Sequence, residues 1–168
     1  MQQDKWNIKK KGYLKIHIAI DINTKEILAL KVTDDKVHDG KVMQKLIEHI
    51  LKNNKNIKST LGDGSYDSNE NFKFLLKNKI RPAIKARKNS IVSLKNNRLR
   101  NREVYSQIKD LSKWKKKRKY GQRWMAKETA FSSIKRMFGE YSSATRFQNT
   151  VKEMMIKVSL YNLFKRFA

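Results

Sequence analysis

Apolar and polar residues alternate along residues 13–21, YLKIHIAID, which places Leu14, Ile16, Ile18 and Ile20 on one side of an extended chain. A turn at Asn23-Thr24-Lys25 and a second run at 27–33, ILALKVT, complete a predicted hairpin. The period then changes. Val42, Met43, Leu46, Ile47, Ile50 and Leu51 recur at three-to-four spacing, so an amphipathic helix is expected over 40–52, opened by Asp39-Gly40. Residues 57–63, IKSTLGD, read as a third strand with Asp63 at its C-terminal end. Ser68 can cap the next helix, with Glu70 in its first turn and Phe72, Leu75 and Leu76 as its buried face. Residues 80–86, IRPAIKA, read as an edge strand, because Pro82 has no N–H to give a central ladder. Residues 87–122 show weak periodicity. Helical spacing returns at 127–138, with Phe131, Ile134 and Phe138 inward and Gly139 as a stop. It returns again at 149–166, through Val151, Met154, Met155, Val158, Tyr161 and Phe164. The order of elements predicts an α/β fold, a mixed sheet flanked by helices, with an excursion before the last two helices.

Charge changes the picture of what such a unit meets. The 168 residues, a length suited to one domain, hold 40 Lys+Arg against 15 Asp+Glu, a net charge of +25. A polyanionic partner follows, nucleic acid first and an anionic membrane surface second. Ten of the fifteen acids fall in residues 1–70, whereas residues 81–123 hold sixteen Lys/Arg against only Glu103 and Asp110. The excursion at 87–122 is therefore a basic insertion, partly helical or partly disordered, densest at KWKKKRKYGQRW (113–124). The absence of Cys excludes disulfides and thiolate metal sites. No run of 18 apolar residues exists, and MQQDKWNIKKKGYLK lacks an apolar signal core, so a cytoplasmic, nucleoid-associated protein with no membrane partner is expected.

Two carboxylates stand out. Asp63 ends a strand inside L-G-D-G-S-Y-D, where small neighbours let a ligand approach and the strand aims the side chain. The same Asp could instead form a turn beside Gly64. Glu128 lies near the start of a helix, preceded by Tyr120 and Arg123 and followed seven residues later, on the same face, by Lys135. A Glu there is also favoured by the helix dipole alone.

Together, GDGSYDSNENFKFL and YGQRWMAKETAFSSIKRMFGEY resemble the DDE transposases of bacterial and archaeal insertion sequences, in the insertion-sequence four/five-like branch. KKGYLKIHIAIDINTKEILALKVTDDKVHDGK is similar to that family's early strand pair, so the likeness spans nearly the whole chain. It implies a ribonuclease-H-like fold and two Mg²⁺ or Mn²⁺ ions held by an Asp-Asp-Glu triad, in which Asp63 matches the second Asp and Glu128 the Glu. Two such ions would activate the attacking oxygen and stabilise the leaving one in phosphodiester cleavage and strand transfer. The family's Y-x2-R-x3-E-x6-K signature gives Lys135 a DNA contact near the cleaved end, Arg123 a phosphate contact or a role in positioning the Glu, and Tyr120 completes it. Here the spacing is Y-x2-R-x4-E-x6-K. The extra residue is absorbed if it lies in a loop, and rotates Arg123 by about 100° relative to Glu128 if it lies in the helix. The family's first catalytic Asp belongs to a strand before the KIHIAID strand, which would fall upstream of Met1. The chain is thus expected to be the C-terminal portion of a transposase catalytic domain lacking that first strand. A second chain or reading frame would supply the Asp, with Asp21, at the end of the first visible strand, as a substitute ligand.

The remaining candidates concern DNA. Lys115, Lys116, Lys117 and Arg118, with Arg136 beside Lys135, are expected to contact the phosphates of transposon ends and target duplex. Trp114 and Trp124 either stack on unpaired bases or pack internally. His17 is expected on the outer side of its strand, and His38 at a helix cap. The 151–164 stripe is core or, if exposed, drives homodimer formation. A non-catalytic DNA-binding remnant and a basic RNA-binding protein are the alternatives to an active enzyme.

Overall fold

The computed structural model describes residues 14–53 and 55–167. Strands β1 (Leu14–Ile20) and β2 (Ile27–Asp34) form the expected antiparallel hairpin, with a register shift between Ala19 and Ile20. Tyr13 and the side chain of Leu14 lie outside the described residues. Asp21 closes the turn by accepting from the amides of Asn23 (2.7 Å) and Thr24 (3.1 Å). Helix α1 (Met43–Lys52) follows a short 3-10 turn at Asp39–Lys41, which His38 caps by accepting from the Gly40 amide.

Strand β3 (Ser59–Gly62) leads through a second 3-10 turn, Gly64–Tyr66, to helix α2 (Asn69–Lys77), capped by Ser68 as expected. Leu76 is 53% exposed, contrary to expectation; the buried stripe of α2 is Asn71, Phe72 and Leu75, and Leu76 lies a further 100° round the helix. Strand β4 (Arg81–Ile84) pairs in parallel with β3, Pro82 opposite Thr60.

The strands do not join into the single mixed sheet the sequence suggests. Among the described residues β1-β2 and β3-β4 are two separate two-stranded sheets. The hairpin lies between helices. Ala29 packs with Val42, Leu46 and Ile50 of α1 on one side. Ile18, Ile27 and Leu30 pack on the other with α5 (Gln122–Phe138) and α6 (Phe147–Phe167), through Ala130, Ile134, Val158 and Tyr161. Asn162 fixes α6 to the head of β2, accepting from the Ile27 amide (2.9 Å) and donating to its carbonyl (2.8 Å). A second cluster holds α1, α2 and β4 together through Met43, Ile47, Phe72, Leu75, Ile80 and Ile84.

The basic excursion is folded. It contains α3 (Arg98–Lys109), capped by Asn97, and α4 (Leu111–Lys117), capped by Asp110. Neither helix has a broad apolar face, and buried ion pairs hold them in place. Asp67, just before α2, accepts from Arg100 Nε (2.7 Å) and NH2 (3.0 Å), from Ser90 Oγ (2.6 Å) and from the Arg87 amide (3.0 Å). Glu103, 1% exposed, accepts from Trp114 Nε1 (2.8 Å) and from the Arg118 guanidinium. His17 departs from expectation too. It is buried and bonded to Thr33 Oγ1 (2.8 Å), because a hairpin covered on both faces has no outer side there.

Candidate nucleic-acid interface around Asp63

Asp63 follows directly on β3, and its carboxylate accepts from the amide (3.0 Å) and hydroxyl of Ser65, capping the turn at 64–66. The turn is pressed against the Asp39–Lys41 turn. A Cβ on Gly40 would stand 2.6 Å from the Ser65 carbonyl oxygen, so this approach requires glycine. Asn71 ties the two turns by donating to the carbonyls of Gly40 (3.1 Å) and Tyr66 (3.0 Å). The carboxylate at the strand end is thus rigidly aimed and remains 43% exposed.

Its neighbours are cations. Arg123 NH1 stands 3.6 Å from Asp63 Oδ2. Burial pushes the Asp63 carboxyl up, but the Ser65 hydrogen bonds and the charges of Arg123 and Lys127 bring it below its usual value. The Arg123 guanidinium lies 5.4 Å from the centre of the Tyr120 ring, and its Nε is buried without a hydrogen-bond partner. Tyr120 is itself buried, donates to the Gly62 carbonyl (3.0 Å) and packs on Trp114 at 5.1 Å. Burial pushes its hydroxyl above the usual value, and Asp63 adds to this while Arg123 opposes it. On the other side of Asp63, Tyr66 is pushed up to about 12 by burial and then by the charges of Asp39 and Asp63. Beside Asp63 opens a cleft of about 450 Å³, rimmed by Lys85, Arg87, Lys88, Lys115 and Arg123 with Trp124 at its edge.

The structure brings together Asp63, Tyr120, Arg123 and Lys115, and leaves the other expected residues elsewhere. Helix α5 begins at Gln122, five residues before the sequence suggests, so the extra residue of the signature lies within the helix. Arg123 and Lys127 therefore face Asp63, while Glu128 is exposed on a different side with no ion pair or hydrogen bond from its carboxylate. Lys135 pairs with Glu140 (3.0 Å), and Arg136 is exposed. Lys116 and Lys117 are exposed on α4, but Arg118 is committed to Glu103, so its expected phosphate contact is replaced by an internal one. Trp114 is internal, 3% exposed, whereas Trp124 is 59% exposed. Asp21 is occupied by its turn. Sequence reasoning missed Lys127 and Asp67. The one-residue offset in the signature was the available signal for Lys127; nothing local marked Asp67 as a buried partner of Arg100.

The model of one protein family, described as Transposase DDE domain, matches residues 2–163. The chain belongs to that family. The domain therefore belongs to the machinery of DNA transposition, with DNA as its partner. The family works with divalent metal ions. The described residues of this transposase domain do not fit such ions as they stand: they contain no group of three His, Asp or Glu side chains placed to hold a metal, and cations adjoin Asp63. No described helix is long and apolar enough to cross a membrane. No solved structure matches the chain.

Proposed function

We propose that this domain binds the ends of an insertion sequence of the four/five-like branch in the basic cleft around Asp63 and takes part in cutting them and joining them to target DNA. The observation that carries the reading is one ionised, aimed carboxylate at a strand end, ringed by cations that suit phosphates on both sides of a reacting bond. Asp63 is the catalytic carboxylate of the reading. Arg123 and Lys115 hold phosphate, Tyr120 orients Arg123 from below, and Lys116, Lys117, Lys135 and Arg136 extend the basic surface along the duplex.

Glu128 enters the reaction only if α5 turns by about 100° about its axis. A Mg²⁺ or Mn²⁺ pair needs that carboxylate and at least one more, so no step is derived through it here. A second chain or reading frame is the proposed source of the further Asp. The ribonuclease-H-like unit is a single domain, with the basic segment 87–122 inside it, acting in the cytoplasm on nucleoid DNA.

The test is a nicking and strand-transfer assay with Mn²⁺ on a duplex carrying the element's ends, run beside a binding titration at several salt concentrations. Asp63→Ala is expected to abolish any cleavage while leaving affinity within about threefold, the worth of a weak surface interaction. Cleavage that survives Asp63→Ala refutes the catalytic assignment, and salt-independent binding refutes the interface.

A further inference from the structure

The two sheets leave a space between them with a definite shape. A cavity of about 880 Å³ is lined by every residue from 15 to 23 along β1 and its turn, and by every residue from 56 to 63 along β3. A strand seen face-on shows alternate residues, and only its edge shows all of them. The cavity therefore runs between the free edges of β1 and β3, whose outward N–H and C=O groups have no strand partner among the described residues. Leu46 and Ile50 of α1 close one side, and Ala126 and Phe131 of α5 the other.

The direction of the missing ladder is also fixed. The head of β1 meets the Asp39 turn, with Lys15 3.2 Å and His17 3.8 Å from Asp39, and that turn abuts the one that follows β3. β1 and β3 thus run in opposite senses across the gap. A strand between them lies parallel to β3 and antiparallel to β1. Its C-terminal end reaches Asp63, where Arg123 Nε is buried without an acceptor and Lys127 adds positive charge.

We propose that this gap is the docking site for a β-strand from a separate polypeptide: apolar on both faces, β-branched, and carrying a carboxylate at its C-terminal end that accepts from Arg123 Nε beside Asp63. Covered faces demand a continuous apolar run. Residues 1–12 hold four lysines and lack that composition, and the chain's other apolar runs already stand in strands and helices. The proposal names the partner within the transposition reading, yet its geometry is tested without DNA.

The probe is a synthetic peptide of about seven residues, β-branched throughout, ending in Asp and preceded by lysines for solubility. It is added to the full chain and, in a second arm, joined to the N-terminus through a flexible Gly-Ser linker that gives millimolar effective concentration. Amide hydrogen exchange is followed at residues 15–20 and 59–62. Those amides not bonded within the existing pairs are expected to slow by about tenfold or more, equivalent to ~1.4 kcal/mol. Replacing the terminal Asp by Asn should weaken binding about tenfold, the worth of one charge-assisted hydrogen bond. A tethered peptide that slows nothing overturns the proposal, as does equal slowing by a peptide with a central Pro, which cannot complete the ladder. DNA affinity is read separately, so loss of DNA binding with slowed exchange would sink the transposition reading and leave the docking site standing.

Discussion

Asp67 takes four hydrogen bonds at a depth where its side chain is 1% exposed, and Arg100 opposite it is 12% exposed. Asp67→Ala leaves that guanidinium buried without its counter-charge. Loss of one partner of a buried pair costs about 3–5 kcal/mol, so a large fall in melting temperature is expected in thermal denaturation, with α3 freed from α2. Burial pushes the Asp67 carboxyl up, but the bonds from Arg100, Ser90 and the Arg87 amide hold it below its usual value. A depressed value in the folded state means the contribution is complete above the unfolded value near pH ~4 and lost as pH falls through the folded one. Melting temperature should therefore drop on acidification below about pH 4, and Asp67→Ala should flatten that drop. The site allows an equally local test. Lys127, not Glu128, looks toward Asp63. Lys127→Glu should raise Mn²⁺ affinity in a calorimetric titration, while Glu128→Gln leaves it unchanged. The reverse pattern would show that Glu128 has turned into the site.

Among elements, α4 carries two kinds of positive charge that composition does not separate. Lys115, Lys116 and Lys117 are exposed, whereas Arg118 is held by the buried Glu103. Replacing the three lysines by Ala should lower the slope of log affinity against log salt by about 3, at ~0.9 per phosphate contact, with little change in melting. Arg118→Ala should leave the slope nearly intact and lower the melting temperature, since Glu103 is left buried and unpaired. Elements specified by their own residues were readable from sequence. The hairpin follows from alternation and an Asp-closed turn, and α2 from the Ser68 cap. Helices α3 and α4 were not, because partners distant in sequence hold them: Asp67 for Arg100, and Glu103 for Trp114 and Arg118. The start of α5 was hidden for a related reason. No side chain caps it, and its first turns hold Arg123 against Asp63 and Ala126 in a small-residue contact rather than a bulky apolar stripe. Of the site, Asp63, Tyr120 and Arg123 were legible as a motif, but the side of α5 on which Glu128 falls depends on where the helix begins.

For the whole molecule, charge acts in two opposing ways. A net +25 on 168 residues repels itself across the folded surface. Between about 0.01 and about 1 M salt the screening length contracts from ~30 to ~3 Å. The melting temperature of the free domain should rise over that range while its affinity for duplex DNA falls, and a common direction for both would contradict a phosphate-binding role for the charge. The split sheet gives this balance a practical side. Two open strand edges are templates for any extended chain, a second copy included. Lysines at 15 and 58, beside those edges, are like-charge guards against such pairing. The salt that steadies each molecule also disarms them. A stock of this protein should thus keep best when dilute and low in salt, and should turn cloudy with cross-β character when concentrated in high salt.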